Sequence, residues 1–233
     1  MKKKYLFILI FVIIVTIFAV FTLMLKNKNC ITLDFSFENY KNENIPLFDY
    51  KNNINEIKTI EVDNIKQVFY TKNSSTEYYS YLNVNDIKYD IGYIGFLNLE
   101  NLNYVLTKTQ LVKNNNPIYK YYINEGANYI NSIYFQIINN KPIILTEIPN
   151  GFEFKNNREI MTYSSIGIPS NSIIYEWMDN GINVCNLNDF LKADHVQFEP
   201  NSKEISVINK VDYQNPENNI VKKFKLKDKE ICN

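Results

Sequence analysis

The sequence predicts a mainly β protein built from antiparallel sheets and preceded by one transmembrane helix. One observation behind this prediction is an apolar run, residues 5–25, without a charged residue, Asn, Gln, Pro or Gly. Beyond it, short runs rich in Ile, Val, Tyr and Phe alternate with Asn-rich interruptions. Residues 31–233 also hold 17 Tyr and 11 Phe, which is typical of half-buried strands. Both β-propeller-like blades and a β-sandwich satisfy this pattern.

The apolar run Tyr5 to Leu25 is predicted to be an uncleaved transmembrane anchor. A helix of this length spans roughly 31 Å, close to the thickness of a bilayer core. The alternative is a cleaved signal peptide, but its apolar region is usually only ~7–15 residues long and ends at small residues. Three lysines precede the run and two follow it. The positive-inside rule therefore predicts a cytoplasmic tail at residues 1–4, and residues 31–233 outside the cytoplasm.

Charge and composition exclude several functional classes. The whole chain has 25 basic and 25 acidic residues, but removing residues 1–30 leaves 20 basic against 25 acidic. A mildly acidic domain is a poor partner for nucleic acid, which binds clustered cations. With one His, His195, and one Arg, Arg158, the chain also lacks the residues for a multi-histidine metal site. We therefore predict no cofactor and no metal.

The chain after the anchor divides into a stalk and a domain. Residues 26–55 are polar and Asn-rich and are interpreted as a stalk, whereas residues 56–233 carry the strand pattern of the extracytoplasmic domain. Alternation of apolar and polar residues predicts nine strands. They are Ile57–Val62, Gln67–Thr71, Tyr78–Val84, Lys88–Ile94, Ile118–Ile123, Ser132–Ile138, Ile143–Ile148, Glu159–Ser164 and Ser172–Met178.

Asparagine supplies most of the predicted turns, since the chain has only six glycines. Asn150-Gly151 and Asn180-Gly181 are predicted hairpin turns, because type I′ turns need positive φ at both central residues. Asn139-Asn140 is predicted to act in the same way. A short helix is expected over 186–193, capped by an asparagine. The stretch 98–112 fits a helix or a strand.

Three cysteines allow one intramolecular disulfide in an oxidising compartment. Cys30 lies a few residues after the anchor and is expected beside the bilayer. The sequence therefore favours Cys185 and Cys232 as the pair, and three free thiols are the alternative.

Candidate catalytic residues occur without a recognisable motif. His195 would need a nucleophile and an acid. Two acidic pairs are candidate carboxylate dyads. The residues proposed for these roles are Ser164, Ser165 and Asp189 beside His195, and the pairs Glu153/Glu159 and Asp86/Asp90. A histidine next to an aspartate is more typical of a partly exposed turn.

Two further patterns suggest binding surfaces. Tyrosines of alternating strands are candidates for a sugar- or peptide-binding face, with ordinary sheet packing as the alternative. They are Tyr78, Tyr79 and Tyr81, or Tyr119, Tyr121 and Tyr122. The lysines within 222–229 predict a solvated edge strand, and contact with anionic lipid or wall polymer is the functional alternative.

Residues 130–200 resemble the repeats of secreted VCBS/FG-GAP (integrin-α-like) proteins. The resemblance lies in Arg158–Met161, Pro169 and Ile174–Trp177, which match an E-I strand, a Pro-containing turn and an I-Y-x-W strand. The family implies β-propeller-type blades and an adhesive or binding role. Its calcium loop corresponds to residues 150–157, which lack the expected aspartates, so calcium binding is not expected.

The sequence therefore predicts a single-pass membrane protein with a non-catalytic extracytoplasmic domain that binds a protein or a glycan. One alternative is a cell-envelope hydrolase or transferase that uses His195 with carboxylates. A second is a structural subunit of a membrane complex. The oligomeric state stays open.

Overall fold

The computed structural model of this chain describes residues 13, 15, 16, 30–49, 54–72, 77–95, 106–124, 130–165 and 168–232. This part of the chain is mainly β, as predicted, with four antiparallel sheets and one short α-helix. The predicted anchor lies outside it, apart from Ile13, Val15 and Thr16. None of the helices in these residues has the length and apolar character needed to cross a bilayer.

Four consecutive meanders form the sheets, and each of the nine predicted strands overlaps one of their strands. Sheet I contains β4 (Ile54–Val62), β5 (Ile65–Lys72), β6 (Tyr78–Val84) and β7 (Ile87–Gly95). Sheet II contains β8 (Leu106–Lys113), β9 (Asn116–Asn124), β10 (Ile130–Ile138) and β11 (Lys141–Pro149). Sheet III contains β12 (Phe152–Phe154), β13 (Arg158–Ser165), β14 (Ile168–Trp177) and β15 (Gly181–Asn186). Sheet IV contains β16 (His195–Glu199), β17 (Glu204–Ile208), β18 (Lys222–Lys227) and β19 (Glu230–Cys232).

Residues 30–49, here called the strap, run along the last strands of all four sheets in reverse order. The first three strands of the chain lie in the strap and pair with β19, β15 and β11 in turn. These strands are β1 (Cys30–Thr32), β2 (Ser36–Asn39) and β3 (Glu43–Asn44). Farther on, Leu47 forms a β-bridge with Tyr89 of β7. The predicted stalk is therefore wrong over the strap, because its backbone is hydrogen-bonded into the sheets.

Three hydrophobic cores join the sheets in chain order, I to II, II to III and III to IV. The strap contributes one buried side chain to each of them, Ile45, Tyr40 and Leu33 respectively. The core between sheets II and III contains Trp177, whose ring centroid lies 4.9 Å from that of Tyr134. Among the residues that the structure describes, no hydrophobic cluster joins sheet I to sheet IV.

Asparagine builds the tight hairpin turns of the protein. Both central residues have positive φ in three two-residue turns, Asn85-Asp86, Asn114-Asn115 and Asn139-Asn140. Asn156 and Asn157 also have positive φ, in the three-residue turn between β12 and β13. The prediction for Asn139-Asn140 is confirmed, with φ of 51° and 63°. Asparagine can adopt this conformation because its short polar side chain bonds locally, so these turns form without glycine.

The two Asn-Gly pairs behave differently from these turns. Asn150-Gly151 connects β11 of sheet II to β12 of sheet III, so the predicted hairpin turn there is wrong. Glycine is needed at 151 because a Cβ would lie 2.6 Å from the Ile160 carbonyl oxygen. Asn180-Gly181 does lie in a hairpin, between β14 and β15. Neither Asn180 nor Gly181 has a positive φ, so this turn is not type I′.

The predicted short helix is confirmed as α1 (Leu187–Leu191). The Asn186 side chain caps it by accepting hydrogen bonds from the Asn188 and Asp189 amides. Part of the ambiguous stretch 98–112 is also settled, because β8 (Leu106–Lys113) is a strand.

The disulfide joins Cys30 to Cys232, and Cys185 is free and buried. The expected pair Cys185–Cys232 is therefore wrong. The reason is the strap, which brings Cys30 directly opposite Cys232 in the antiparallel pair β1–β19. Cys185 instead lies in the core between sheets III and IV.

The lysine-rich strand β18 lies inside sheet IV, between β17 and β19, so the edge-strand interpretation is also wrong. Lys225 lies opposite Glu204, and Lys227 lies opposite Glu230. These two carboxylates offset part of the lysine charge, so contact with an anionic surface stays a prediction.

Candidate functional site

The outward surface of sheet I carries the largest group of aromatic side chains outside the three inter-sheet cores of the described chain. Alternate residues of β5 and β6 point away from sheet II, because side chains on a strand alternate between its faces. Five rings cluster there, and they are here called the aromatic face: Phe48, Tyr70, Tyr79, Tyr81 and Tyr93.

The strands place these rings in direct contact. Tyr79 lies opposite both Tyr70 and Tyr93 in the register of the sheet. Its ring centroid is 5.7 Å from each of theirs, stacked on Tyr70 and edge-on to Tyr93. Phe48 of the strap packs on Tyr81 at 4.7 Å. Tyr70 and Tyr81 are buried, whereas Tyr93 is 49% exposed, so the face is open on the Tyr93 side.

Charged groups surround the rings of the aromatic face. The Lys72 ammonium lies 3.8 Å from the centroid of Tyr79, and that of Lys88 lies 4.6 Å from the centroid of Tyr81. The Tyr81 hydroxyl donates to Glu56 at 2.6 Å. Burial, followed by this hydrogen bond, raises the pKa of Tyr81 above its ordinary value. The hydroxyl therefore stays protonated at neutral pH and acts as a donor.

Only part of the predicted tyrosine face is assembled there. Tyr79 and Tyr81 belong to it, whereas Tyr78 packs on the other side of sheet I with Phe69 and Ile94. The second predicted set is divided: Tyr119 and Tyr121 are buried in the core between sheets I and II. The Tyr119 hydroxyl donates to Asp63, and burial together with this bond raises the pKa of Tyr119 to about 12. These rings are part of the core.

Tyr122, the last predicted tyrosine, lies beside a buried charged cluster between sheets II and III. Its ring centroid is 5.9 Å from the ammonium of Lys120. Lys120 bridges the predicted acidic pair, with its ammonium 3.1 Å from Glu153 and 3.8 Å from Glu159. The two glutamates face each other in the register of β12 and β13. The sequence-based pairing of Glu153 with Glu159 therefore corresponds to a real contact region.

Glu159 is fully buried, and its two oxygens differ in their contacts. One accepts hydrogen bonds from the Tyr134 hydroxyl at 2.5 Å and the Gly151 amide at 2.9 Å. The other oxygen has no hydrogen-bond partner. Burial is the main cause that raises the pKa of Glu159, and it outweighs the opposing effects of Lys120 and Tyr134. A substrate would have no access to this carboxyl group, so the cluster is suited to joining sheets.

The other acidic pair is not assembled into a dyad. Asp86 lies in an exposed hairpin turn, and Asp90 accepts a hydrogen bond from the Gly92 amide at 2.9 Å. Within the described residues, no hydrogen bond joins Asp86 to Asp90.

His195 lies at the start of β16, and its Nδ1 accepts a hydrogen bond from the Ser170 amide at 3.1 Å. Burial lowers the pKa of His195, which favours the neutral ring. No carboxylate contact to it occurs in the described part of the chain, and Asp189 lies in the first turn of α1. Ser164 and Ser165 end β13, but their side chains are outside the described set.

Sequence reasoning missed three members of the aromatic face, Phe48, Tyr70 and Tyr93. Tyr70 and Tyr93 could have been found from the register, because they flank Tyr79 on the neighbouring strands β5 and β7. Phe48 could not, since it reaches sheet I only through the strap.

Comparisons of this chain with protein-family models, curated proteins and solved structures found no match. The VCBS/FG-GAP resemblance therefore stays a prediction. The residues that carry it lie on the neighbouring strands β13 and β14 of sheet III. In the segment matching the calcium loop, Glu153 bonds to Lys120 and the Gln110 amide.

Proposed function

We propose that this chain is a single-pass membrane protein whose β domain lies outside the cytoplasm and binds glycans without catalysis. The observation that carries the proposal is the placement of the disulfide and the aromatic face on opposite sheets. Cys30 follows the proposed anchor and is fixed to sheet IV, whereas the aromatic face belongs to sheet I. The anchor would therefore hold sheet IV near the bilayer and leave sheet I farther along the array.

The disulfide also supports the proposed location. Disulfides persist in oxidising compartments and are rare in the cytosol. The positive-inside bias of the lysines around residues 5–25 favours the same orientation. The stacking of sheets in chain order supports blade-like units, in the manner of the VCBS/FG-GAP resemblance, over a two-sheet sandwich.

The chemistry of the aromatic face favours a glycan over a protein as the ligand. The centres of protein–protein interfaces are depleted of charged residues, but Lys72 and Lys88 lie directly over the rings of this face. A sugar matches such a mixture, because its C–H surface packs on an aromatic ring and its hydroxyls bond to neighbouring charges. The open ring of Tyr93 is the stacking position.

The proposal excludes catalysis because the candidate catalytic groups are not arranged for it. Glu159 is buried. The Nδ1 of His195, which an orienting acid would use, already accepts a hydrogen bond from the Ser170 backbone amide. Turnover of a wall polymer or peptide by the full chain, abolished by His195→Ala, would contradict this part of the proposal.

Topology can be tested with the full chain in cells. A membrane-impermeant maleimide, applied to intact cells after mild reduction, should label Cys30, which is partly exposed, whereas Cys232 is buried. A C30S/C232S variant, which retains only the buried Cys185, is the control for background labelling. If labelling appears only after lysis, the domain is cytoplasmic and the proposal fails.

Ligand binding can be tested with the full chain in detergent micelles, against immobilised neutral hexose and N-acetylhexosamine oligosaccharides. We expect Tyr93→Ala to weaken binding about 2- to 10-fold, since one aromatic contact contributes about 0.5–1.5 kcal/mol. Tyr213→Ala is the matched control, because Tyr213 is 62% exposed and lies outside the aromatic face. Equal losses in the two variants, or no binding at all, would overturn the glycan assignment.

A further inference from the structure

A cleft between sheets III and IV has chemistry that neither the core nor the aromatic face explains. It has a volume of about 160 Å³. The polar residues that line it are Lys155, Asn156, Arg158, Lys203 and Asp228, with Phe154 among the apolar ones. Three of these side chains are cations, in a domain that carries a net negative charge.

Arg158, the only arginine of the chain, forms the floor of this cleft. It is 6% exposed. Its Nε donates to Glu176 at 3.2 Å, and its Nη1 lies 2.9 Å from an Asp228 oxygen. The other terminal nitrogen, Nη2, has no acceptor in the described part of the protein. Nη2 is not buried without a partner, and because Arg158 lines the cleft, this donor is available to a ligand.

Glu176 fixes the orientation of Arg158 from behind. It lies opposite Arg158 in the register of β13 and β14. Glu176 also accepts hydrogen bonds from Asn183 at 3.0 Å and from the Lys229 ammonium. A guanidinium held in this way loses little side-chain entropy when it binds a ligand, and the cleft is therefore a preorganised site.

The two lysines at the cleft have unpaired charges. Neither Lys155 nor Lys203 forms a side-chain hydrogen bond or ion pair with a described residue. Asp228, in the turn between β18 and β19, is the one carboxylate that lines the cleft. Its Oδ1 accepts from Arg158 and, at 2.9 Å, from Asn156. Asp228 is highly exposed, with a side-chain exposure of 65%.

We propose that this cleft binds a compact anion, a carboxylate or a phosphate group, on Arg158, Lys155 and Lys203, and that Asp228 is an internal carboxylate competing for the same donors. Arginine matches both groups, because its planar fork pairs with two oxygens at once. The volume suits a single phosphate or acidic sugar group. The site is distinct from the aromatic face, and its test does not depend on the glycan proposal.

Replacing the competing carboxylate gives the sharpest test. Asp228→Asn keeps the hydrogen-bonding oxygen and tolerates the positive φ of 46° at this position. It removes one negative charge beside the bound anion, so we expect about tenfold tighter binding at low salt. The probes are inorganic phosphate and glucuronate, titrated into the full chain in detergent micelles by isothermal calorimetry. Tighter binding of phosphate alone would identify phosphate groups as the ligand, and tighter binding of glucuronate alone would identify acidic sugars.

The lysines supply a second variant that does not touch the buried network. Lys155→Gln with Lys203→Gln should weaken binding of the same probe about tenfold and reduce its salt dependence. Lys192→Gln with Lys210→Gln is the matched control, because it removes the same charge outside the cleft. The proposal is overturned if neither anion binds, if Asp228→Asn does not tighten binding, or if both double variants weaken it equally.

Discussion

Glu159 and Glu176 are both buried carboxylates of sheet III, yet their environments have opposite effects. Burial disfavours the charged form of each. At Glu176, hydrogen bonds from Lys229, Asn183 and Arg158 outweigh burial, so its pKa is lowered. At Glu159 one oxygen has no partner, and burial prevails, so its pKa is raised. Both oxygens of Glu176 accept hydrogen bonds, two of them from cations, whereas only one oxygen of Glu159 does, and this difference decides which effect wins.

The raised pKa of Glu159 predicts a loss of stability as pH rises. The folded chain retains a proton that the unfolded chain releases near pH 4.5. The folded state therefore binds more protons above that pH, and the free energy of unfolding falls until Glu159 ionises. Glu159→Gln, which does not titrate, should remove this fall.

The measurement is urea unfolding of both chains between pH 4.5 and 8. The lowered pKa of His195 also makes the free energy of unfolding depend on pH below 6.5. This dependence is the same in both chains, so it cancels in the difference between them. The stability of Glu159→Gln relative to the native chain should increase with pH. A constant difference would show that Glu159 is ionised throughout this range.

At the scale of elements, sheet III protects the open edge of sheet II. Strand β8 lies at that edge. Two of its alternate amides, and that of Asn114 in the turn after it, donate to side chains of sheet III and its turns. The amides of Gln110, Val112 and Asn114 donate to Glu153, Asn157 and Asp179 respectively. Unpaired edge amides invite pairing with other chains. Side-chain oxygens here replace a neighbouring strand.

Asn157 is predicted to contribute most of these residues to stability, because its side-chain amide forms hydrogen bonds with both sheets. Its Oδ1 accepts from Val112 at 2.7 Å, and its Nδ2 donates to the Val112 and Trp177 carbonyls. Asn157→Gly keeps the positive φ accessible but removes these bonds, so we expect it to lower the free energy of unfolding by about 1–3 kcal/mol.

Asn115→Gly is the matched control for Asn157→Gly, since Asn115 is also the last residue of a hairpin turn and has nearly the same φ, 61° against 59° at Asn157. It should change the free energy of unfolding by no more than about 0.5 kcal/mol. Glycine relieves the strain of a positive φ in the folded chain, and this offsets the larger conformational entropy that it gives the unfolded chain. Equal effects of the two substitutions would mean that the Asn157 amide contributes nothing beyond its backbone conformation.

Elements whose conformation is determined by residues close in sequence could be predicted. Strand β6, the Asn139-Asn140 turn and the capped helix α1 each depend on neighbouring residues. The pair Glu153/Glu159 could be suggested, but its partner Lys120 lies on another sheet. The strap could not be predicted, because its strands are two to four residues long and their partners lie far along the chain. The wrong cysteine pairing followed from missing the strap.

At the scale of the whole molecule, the strap converts four sequential hairpin sheets into one unit. Each sheet is local in sequence, whereas the strap touches all of them within residues 30–49. Its first residue is linked to Cys232 across a sequence separation of 202. A link this long restricts the unfolded chain by roughly 5 kcal/mol in the chain-entropy model. The same bond prevents the strap from separating at sheet IV.

Opening the disulfide should therefore loosen the strap from one end. In C30S/C232S we expect hydrogen exchange to accelerate at least about tenfold for the Leu33 amide, which bonds to the Lys229 carbonyl at 2.8 Å. The Phe48 amide, bonded to Lys88 at the far end of the strap, should change much less, because three inter-sheet cores still hold the chain between them. Cys185→Ala is the control, since it removes a sulfur without opening a crosslink. Uniform acceleration along the strap would instead mean that the strap and the four sheets unfold together, with the disulfide stabilising the array as a whole.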